Sequence, residues 1–378
     1  MAGLVFMAVV VPMSLAAAMP GSVRITDEEF AASQPIYIPY TGRLIGQSAS
    51  GDASVGEGGE RWIELKLFNL FTVRRIKVDL LPFDQVIGGG IPVGFMAKTR
   101  GLIVTKEHEG FGLQVGDTIF GVGNLDVECK EGFEEAIGWA GLGDGETTLR
   151  VVRNGKEIRL TGKVSDKTPA GIWVKDESSG IGMLTYVNPV NNNFASLGHR
   201  MSDFETGTAF DVRGGDIYHC NVLGIDKSDG RKVGTYRSSI PHRTQEAQGN
   251  LISSNAFGVY GCLHGENTLL GDNEKIFKVT SRHNVRPGAA KLRTSIDGKT
   301  IEEFDIEIIK TRYQKTSATK SMIVRIVDPR LLEASGGIIH GMSGSPILQN
   351  NKMVGALTHV MVSDVSKGYG IYLDFVIP

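Results

Sequence analysis

Glycine constrains the fold of this chain most. The 378 residues include 49 glycines, spread through turn-like positions between short apolar runs without forming a repeat. Many short strands joined by tight turns need that pattern, so the chain reads as mostly β. Two dipeptides place hairpins directly. Asn154-Gly155, between apolar-polar runs at 148–153 and 157–160, is a type I′ signal, and Asn350-Asn351 separates 346–349 from 352–362 in the same way. The length exceeds what one hydrophobic core usually serves, so two domains with extensions are expected.

Charge and cysteine content exclude several functions. Lys+Arg total 40 against 42 Asp+Glu, a net charge of −2. That balance offers no basic surface with which to displace counterions, and nucleic acid is not an expected partner. Cys129, Cys220 and Cys262 are too few for a disulfide framework and contain no CxxC pair for a structural zinc. One bridge at most is available, Cys220 to Cys262; the simpler reading is three small hydrophobes or free thiols.

Residues 1–23 carry no charge, and the apolar run 4–18 ends in Ala16-Ala17-Ala18, as a secretory h-region with a small-residue cleavage site does. No Lys or Arg precedes the run, and Pro12 interrupts a segment shorter than the ~20 residues of a spanning helix. The expectation is a signal peptide or membrane anchor over 1–23 and export from the cytoplasm, the alternative being a buried N-terminal helix. Residues 24–87 read as an extension or linker, polar around 47–54. Alternating apolar positions from Trp62 to Leu80 indicate one or two strands there.

Residues 88–165 form a compact pattern. A glycine turn precedes Leu102-Ile103-Val104, "GLQVGDTI" covers 112–119, a helical stretch runs over 131–140, and the Asn154-Gly155 hairpin closes the unit. These stretches resemble a PDZ domain. The resemblance implies that Val93, Gly94 and Phe95 of "PVGF" form the loop whose N–H groups receive a peptide carboxylate, the alternative for Gly94 being a plain tight turn.

Residues 166–378 hold the chemistry. A serine hydroxyl becomes a nucleophile only beside a base, with a group that orients the base and N–H donors for the oxyanion. Gly341-Met342-Ser343-Gly344-Ser345-Pro346 allows the amides of Gly341 and Ser343 to point at one spot, and a hairpin and a strand over 368–376 follow it. The hexapeptide resembles the nucleophile turn of chymotrypsin-like peptidases. By that likeness Ser343 is the nucleophile, Ser345 the small residue behind it, and the fold a double β-barrel. Of the eight histidines, His199 stands just beyond a hairpin of 181–187 and 194–197, in the half where that fold keeps its base. His340 and His359 flank the serine region and suit cleft or packing roles.

Two longer blocks, "GIGMLTYVNPVNNNFASLGHRMSDFETG" and "VDPRLLEASGGIIHGMSGSPILQNNKMVGALTHVMVSDVSKGYGIYLDF", are similar to the stage IV sporulation protein B peptidases. The likeness runs from about residue 88 to the end. It implies His199 as base, Ser343 as nucleophile and Asp328 as acid. Asp203, four residues after His199, is a rival orienter, and a turn residue before Pro329 is the plain alternative for Asp328. It also implies an exported, membrane-associated serine endopeptidase in the intermembrane space of a sporulating cell. Such an enzyme cleaves the extracytoplasmic part of a membrane regulator, and its own chain is a further candidate substrate. The cut frees an intramembrane protease that activates a late sigma factor. No metal or organic cofactor is needed. A non-catalytic, PDZ-type peptide-binding scaffold is the alternative from another class.

Overall fold

A computed structural model describes residues 22–31, 53–55, 60–67, 71–141, 145–164, 171–229, 232–242, 244–265, 269–312, 314 and 316–377. The leader expected over 1–23 and the linker around 47–54 lie outside these residues but for Ser22, Val23, Ala53 and Ser54, and the boundary expected at 165–166 lies outside them altogether.

A small N-terminal sheet comes first. It comprises β1 (Ser22–Ile25), β2 (Ala53–Val55), β3 (Arg61–Leu67) and β4 (Phe71–Leu80), in the order β1-β4-β3-β2. The one or two strands expected there are two, β3 and β4. Helix α1 (Asp27–Ala31) fastens this sheet to the rest of the chain through Glu29. Its buried carboxylate accepts from Thr280 Oγ1 at 2.6 Å, the Ser281 amide at 3.1 Å and Asn284 Nδ2 at 2.5 Å. A buried carboxylate is tolerated where its lone pairs are filled in this way.

The chain then enters a barrel through β5 (Gln85–Gly88) and the long β6 (Pro92–Val104). Past its midpoint β6 leaves the barrel and opens a compact unit of β7 (Thr118–Val122), β8 (Leu125–Asp126), helix α2 (Lys130–Gly141), β9 (Glu146–Arg153) and β10 (Lys156–Lys163). This unit has its own core, in which Leu102, Val104, Phe133, Ile137, Leu149 and Val151 are buried. Asn154 and Gly155, at φ 51° and 75°, form the turn that the sequence marks. Strand β11 (Val174–Met183) returns to the barrel, pairing with β6 at Lys175↔Ile103 in the unit and at Gly180↔Phe95 in the barrel.

The rest of the first, partly open barrel is β12 (Tyr186–Val187), β13 (Asn193–Leu197) and β14 (Val212–His219), then, after a two-stranded side sheet of β15 (Asn221–Asp226) and β16 (Thr235–Ser239), β17 (Gly249–Asn255) and β18 (Gly258–Leu263). Its strands pair in the succession β11-β6-β14-β17-β18-β13-β12. Strand β19 (Ile276–Val279) links β5 to the second barrel, where β20 (Gly288–Ser295), β21 (Ile301–Thr311), β22 (Met322–Ile326), β25 (Lys367–Tyr372), β24 (Lys352–Val360) and β23 (Pro346–Gln349) close a ring. Inward alternation fills each barrel with its own apolar cluster, around Val93, Phe95 and Ile217 in one and Leu292, Ile308 and Val324 in the other. The chain leaves the barrel at Cys220, between β14 and β15. The strand expected over 368–376 ends at Tyr372 in a 3₁₀ turn, Leu373–Phe375. All three cysteines are free thiols.

The placement of Val93, Gly94 and Phe95 corrects a sequence expectation. They are interior to β6 and not a loop, with Gly94 opposite Ile181 on β11 and Tyr218 on β14. A strand paired on both sides spends its amides on the ladder, so this segment presents no anion nest. Gly94 serves close packing: an added Cβ would lie 2.6 Å from Cγ1 of Ile240. Gly94→Val is therefore expected to overpack the barrel and cost about 1–3 kcal/mol in denaturant unfolding. Adding Ile240→Ala should recover most of that loss. A Gly94→Val protein of wild-type stability would show that the contact carries no weight.

Candidate active site

The serine turn is built outward from helix α3 (Pro329–Ser335). Pro329 opens this helix behind an Asp328 N-cap, and Gly336, at φ 70°, ends it. Ile338 and Ile339 then bury themselves in the second barrel and deliver the chain to Gly341. Within the turn, the Met342 amide donates to Ile339 O at 3.2 Å, Gly344 to Leu357 O at 2.8 Å and Ser345 to Met342 O at 3.0 Å. The amides of Gly341 and Ser343 donate to no backbone carbonyl among the described residues. Gly344, at φ 99°, cannot be replaced without strain, because an added Cβ would meet Met183 O at 2.5 Å.

Two hydrogen bonds seat this turn on the first barrel. The Met183 amide donates to Ser343 O at 3.1 Å, and the buried Thr185 hydroxyl donates to Gly344 O at 2.7 Å. The same hydroxyl accepts from the Leu197 amide at 2.9 Å, which ties the end of β13 to the turn. Two residues further on stands His199. Gly198 abuts the serine so closely that an added Cβ would lie 3.1 Å from Ser343 Cβ. Ser343 and His199 line one cavity of about 150 Å³. In this arrangement Ser343 Oγ donates to Thr358 O at 2.6 Å, and His199 Nδ1 lies 3.0 Å from Arg200 O. If Nδ1 holds the proton in that contact, Nε2 keeps its lone pair, the state a general base needs. Ser345 is fully buried, with its hydroxyl 3.0 Å from Thr294 Oγ1. Of the two serines, only Ser343 opens on the cavity.

The family model for SpoIVB peptidase S55 matches residues 166–377, more than half of the chain. The chain belongs to this family. It is accordingly a serine peptidase that hydrolyses peptide bonds in protein substrates, and the family ties it to sporulation. No curated protein matches the sequence.

Neither aspartate expected to orient the base of this S55 peptidase reaches His199. Asp328 is the N-cap of α3: Oδ1 accepts from the Arg330 amide at 2.9 Å, and Oδ2 from the Asp305 amide at 3.1 Å and Arg330 Nη2 at 2.9 Å. The Arg330 hydrogen bonds hold its pKa at about 2. Helix capping claimed the Asp-Pro pair that the family likeness assigned to catalysis. Asp203 is buried under Lys175 at 2.8 Å, and accepts from Ser178 Oγ at 2.8 Å and the Thr206 amide at 3.0 Å. Burial would raise its pKa, yet these donors bring it down to about 2.

What does face His199 is His359, with ring centroids 5.9 Å apart. Its pKa is lowered by burial first, then by the charges of His199 and Lys320. Its Nδ1 is buried and has no partner among the described residues. The sequence placed His359 near the cleft but carried no sign of this pairing. Only the register of β24 against the serine turn brings it there. Thr185 was missed as well, since a threonine between two short strands carries no local signal. Among the described residues no three His, Cys, Asp or Glu side chains converge as metal ligands would.

Asp328→Asn is expected to act on stability. The amide can still cap, and loss of the charge beside Arg330 and the helix N-terminus should cost about 1 kcal/mol at pH 7. The folded pKa of about 2 lies below the ordinary 3.8, so this contribution is present above 3.8 and lost as pH falls through 2. Urea unfolding at pH 7, 4 and 2.5 should show the gap from wild type narrowing along that series. A rate loss of about 10⁴ at unchanged stability would instead return Asp328 to the base.

Proposed function

We propose that Ser343 is the nucleophile and His199 the base of this peptidase, with the Gly341 and Ser343 amides as oxyanion donors. The meeting of Ser343 with His199 at one cavity carries this reading, with the two undirected amides in support. Attack begins when the Ser343 hydroxyl swings from Thr358 O toward His199 Nε2. His199 takes the proton as Oγ bonds to the scissile carbonyl carbon, and the carbonyl oxygen gathers negative charge near the two amides. His199 returns the proton to the leaving amine as the C–N bond breaks; water, deprotonated by His199, then releases the acyl group. Backbone carbonyls of Thr358 and Arg200 steady the two side chains at rest, and rest geometry in such sites is commonly looser than in the substrate complex.

The fold reading that accompanies this is a two-barrel, chymotrypsin-like peptidase with a PDZ-like unit set between β6 and β11. The substrate we favour is the extracytoplasmic part of a membrane regulator. Its cleavage outside the cytoplasm of a sporulating cell would release an intramembrane protease and so a late sigma factor. The family assignment and the charge-free leader over 1–23 support that setting.

Labelling with a fluorophosphonate probe tests the site. Wild type and Ser345→Ala should be labelled, and Ser343→Ala and heat-unfolded wild type should not. Ser343→Ala should also lose several orders of magnitude in peptide cleavage. Labelling that persists in Ser343→Ala would move the nucleophile, and a folded wild type inert to both probe and peptides would favour a non-catalytic scaffold.

A further inference from the structure

The cavity shared by Ser343 and His199 is one-sided. Its wall and floor come from the first barrel: Phe95 on β6, Ile181 on β11, Met201 in the loop after His199, and Val259 on β18. The second barrel contributes Ser343 alone; nothing from β24 or β25 takes part. Phe95, Met201 and Val259 are 3%, 7% and 4% exposed, whereas Ile181 at the rim is 38% exposed. Ser196 also borders the space, but its hydroxyl is spent on Met183 O at 2.6 Å. His199 is the only titratable side chain in the lining.

The side of the scissile bond that this cavity serves follows from the proton's path. His199 must hand its proton to the leaving amine, so the leaving segment lies on the His199 side of Ser343. The acyl segment lies on the other. We infer that this cavity binds the side chain of the residue directly after the scissile bond, and that it selects a medium-sized apolar side chain such as leucine. A largely apolar space of about 150 Å³ is large enough for a group of benzene size. A carboxylate or ammonium there would lose hydration against Phe95, Ile181, Met201 and Val259. Gly180 sets the width, since an added Cβ would stand 3.3 Å from Met201 Cε.

This inference rests on the nucleophile and base proposed above, and acyl transfer isolates it. A peptide ester acylates Ser343; an amino-acid amide then competes with water. Its amine nitrogen attacks the acyl carbon and gives a proton to His199, the ester C–O bond breaks, and Ser343 Oγ recovers a proton from His199. Leucinamide should outcompete glycinamide by about tenfold or more in the aminolysis-to-hydrolysis ratio, as apolar pockets discriminate, with aspartate amide weakest. Gly180→Val should shrink the preference for leucinamide, and Met201→Ala should move it toward phenylalaninamide. The ratio is internal to each variant, so a partly unfolded preparation does not distort it. Equal ratios for all acceptors, or a leucine preference unmoved by both substitutions, would overturn the inference. Binding gives a readout that needs no turnover. Leu-Ala-Ala amide, a product of the leaving side, should bind Ser343→Ala protein about tenfold more tightly than Gly-Ala-Ala amide, and equal affinities would overturn the pocket as well. Failure of ester turnover in wild type with the binding preference intact would sink the nucleophile assignment and leave the pocket standing.

Discussion

The seating of the serine turn on Thr185 is the interaction on which the site depends. Ser343 belongs to one barrel and His199 to the other, so their separation is set by how the barrels meet. Thr185 settles it with one hydroxyl, which donates to Gly344 O and accepts from the Leu197 amide. The residue is fully buried, so both partners would be left unsatisfied without it, at a cost of about 1–3 kcal/mol each. Gly344 permits the contact because its carbonyl can approach only where no Cβ stands against Met183 O.

The buried charges of the chain fasten separate pieces together. Glu29 draws the N-terminal sheet onto the segment 280–284. Arg24 donates to the carbonyls of Asp374 and Ile377 at 3.1 and 3.0 Å, beside a buried Arg282–Asp374 pair at 2.6 Å. Burial raises the Asp374 pKa to about 6 against the pull of Arg282 and Arg24. The N-terminal segment and the C-terminal turn thus meet around Arg282 and Asp374, and none of these residues lines the Ser343 cavity.

Local chemistry was legible in the sequence; pairing between distant segments was not. Asn154-Gly155 and Asn350-Asn351 announced their hairpins because positive φ is cheap for those residues, and all four adopt it. Gly341 to Pro346 announced a turn, and the apolar hairpin before Gly198-His199 announced a strand end; both stand where expected. Pro92 to Phe95 misled because a glycine inside a strand looks like a glycine in a loop until its partners are known. Here β14 and Ile240 occupy the space that a carboxylate would have taken. Asp328 misled for a related reason: Asp-Pro before a helix is a complete capping signal in its own right, and the Arg330 that engages the carboxylate is only two residues on.

The continuous run of β6 and β11 through both the first barrel and the compact unit has a consequence for how such a chain can be assembled or dismantled. Lys98 and Glu177 already face each other across these antiparallel neighbours, at the point where the barrel ends and the unit begins. A turn of a few residues joining them would leave every barrel strand in register. The unit is therefore an appendage on a hairpin, removable by cutting β6 and β11 once each, after Lys98 and before Glu177. A shorter ancestor, or an engineered minimal peptidase, would need only that one splice.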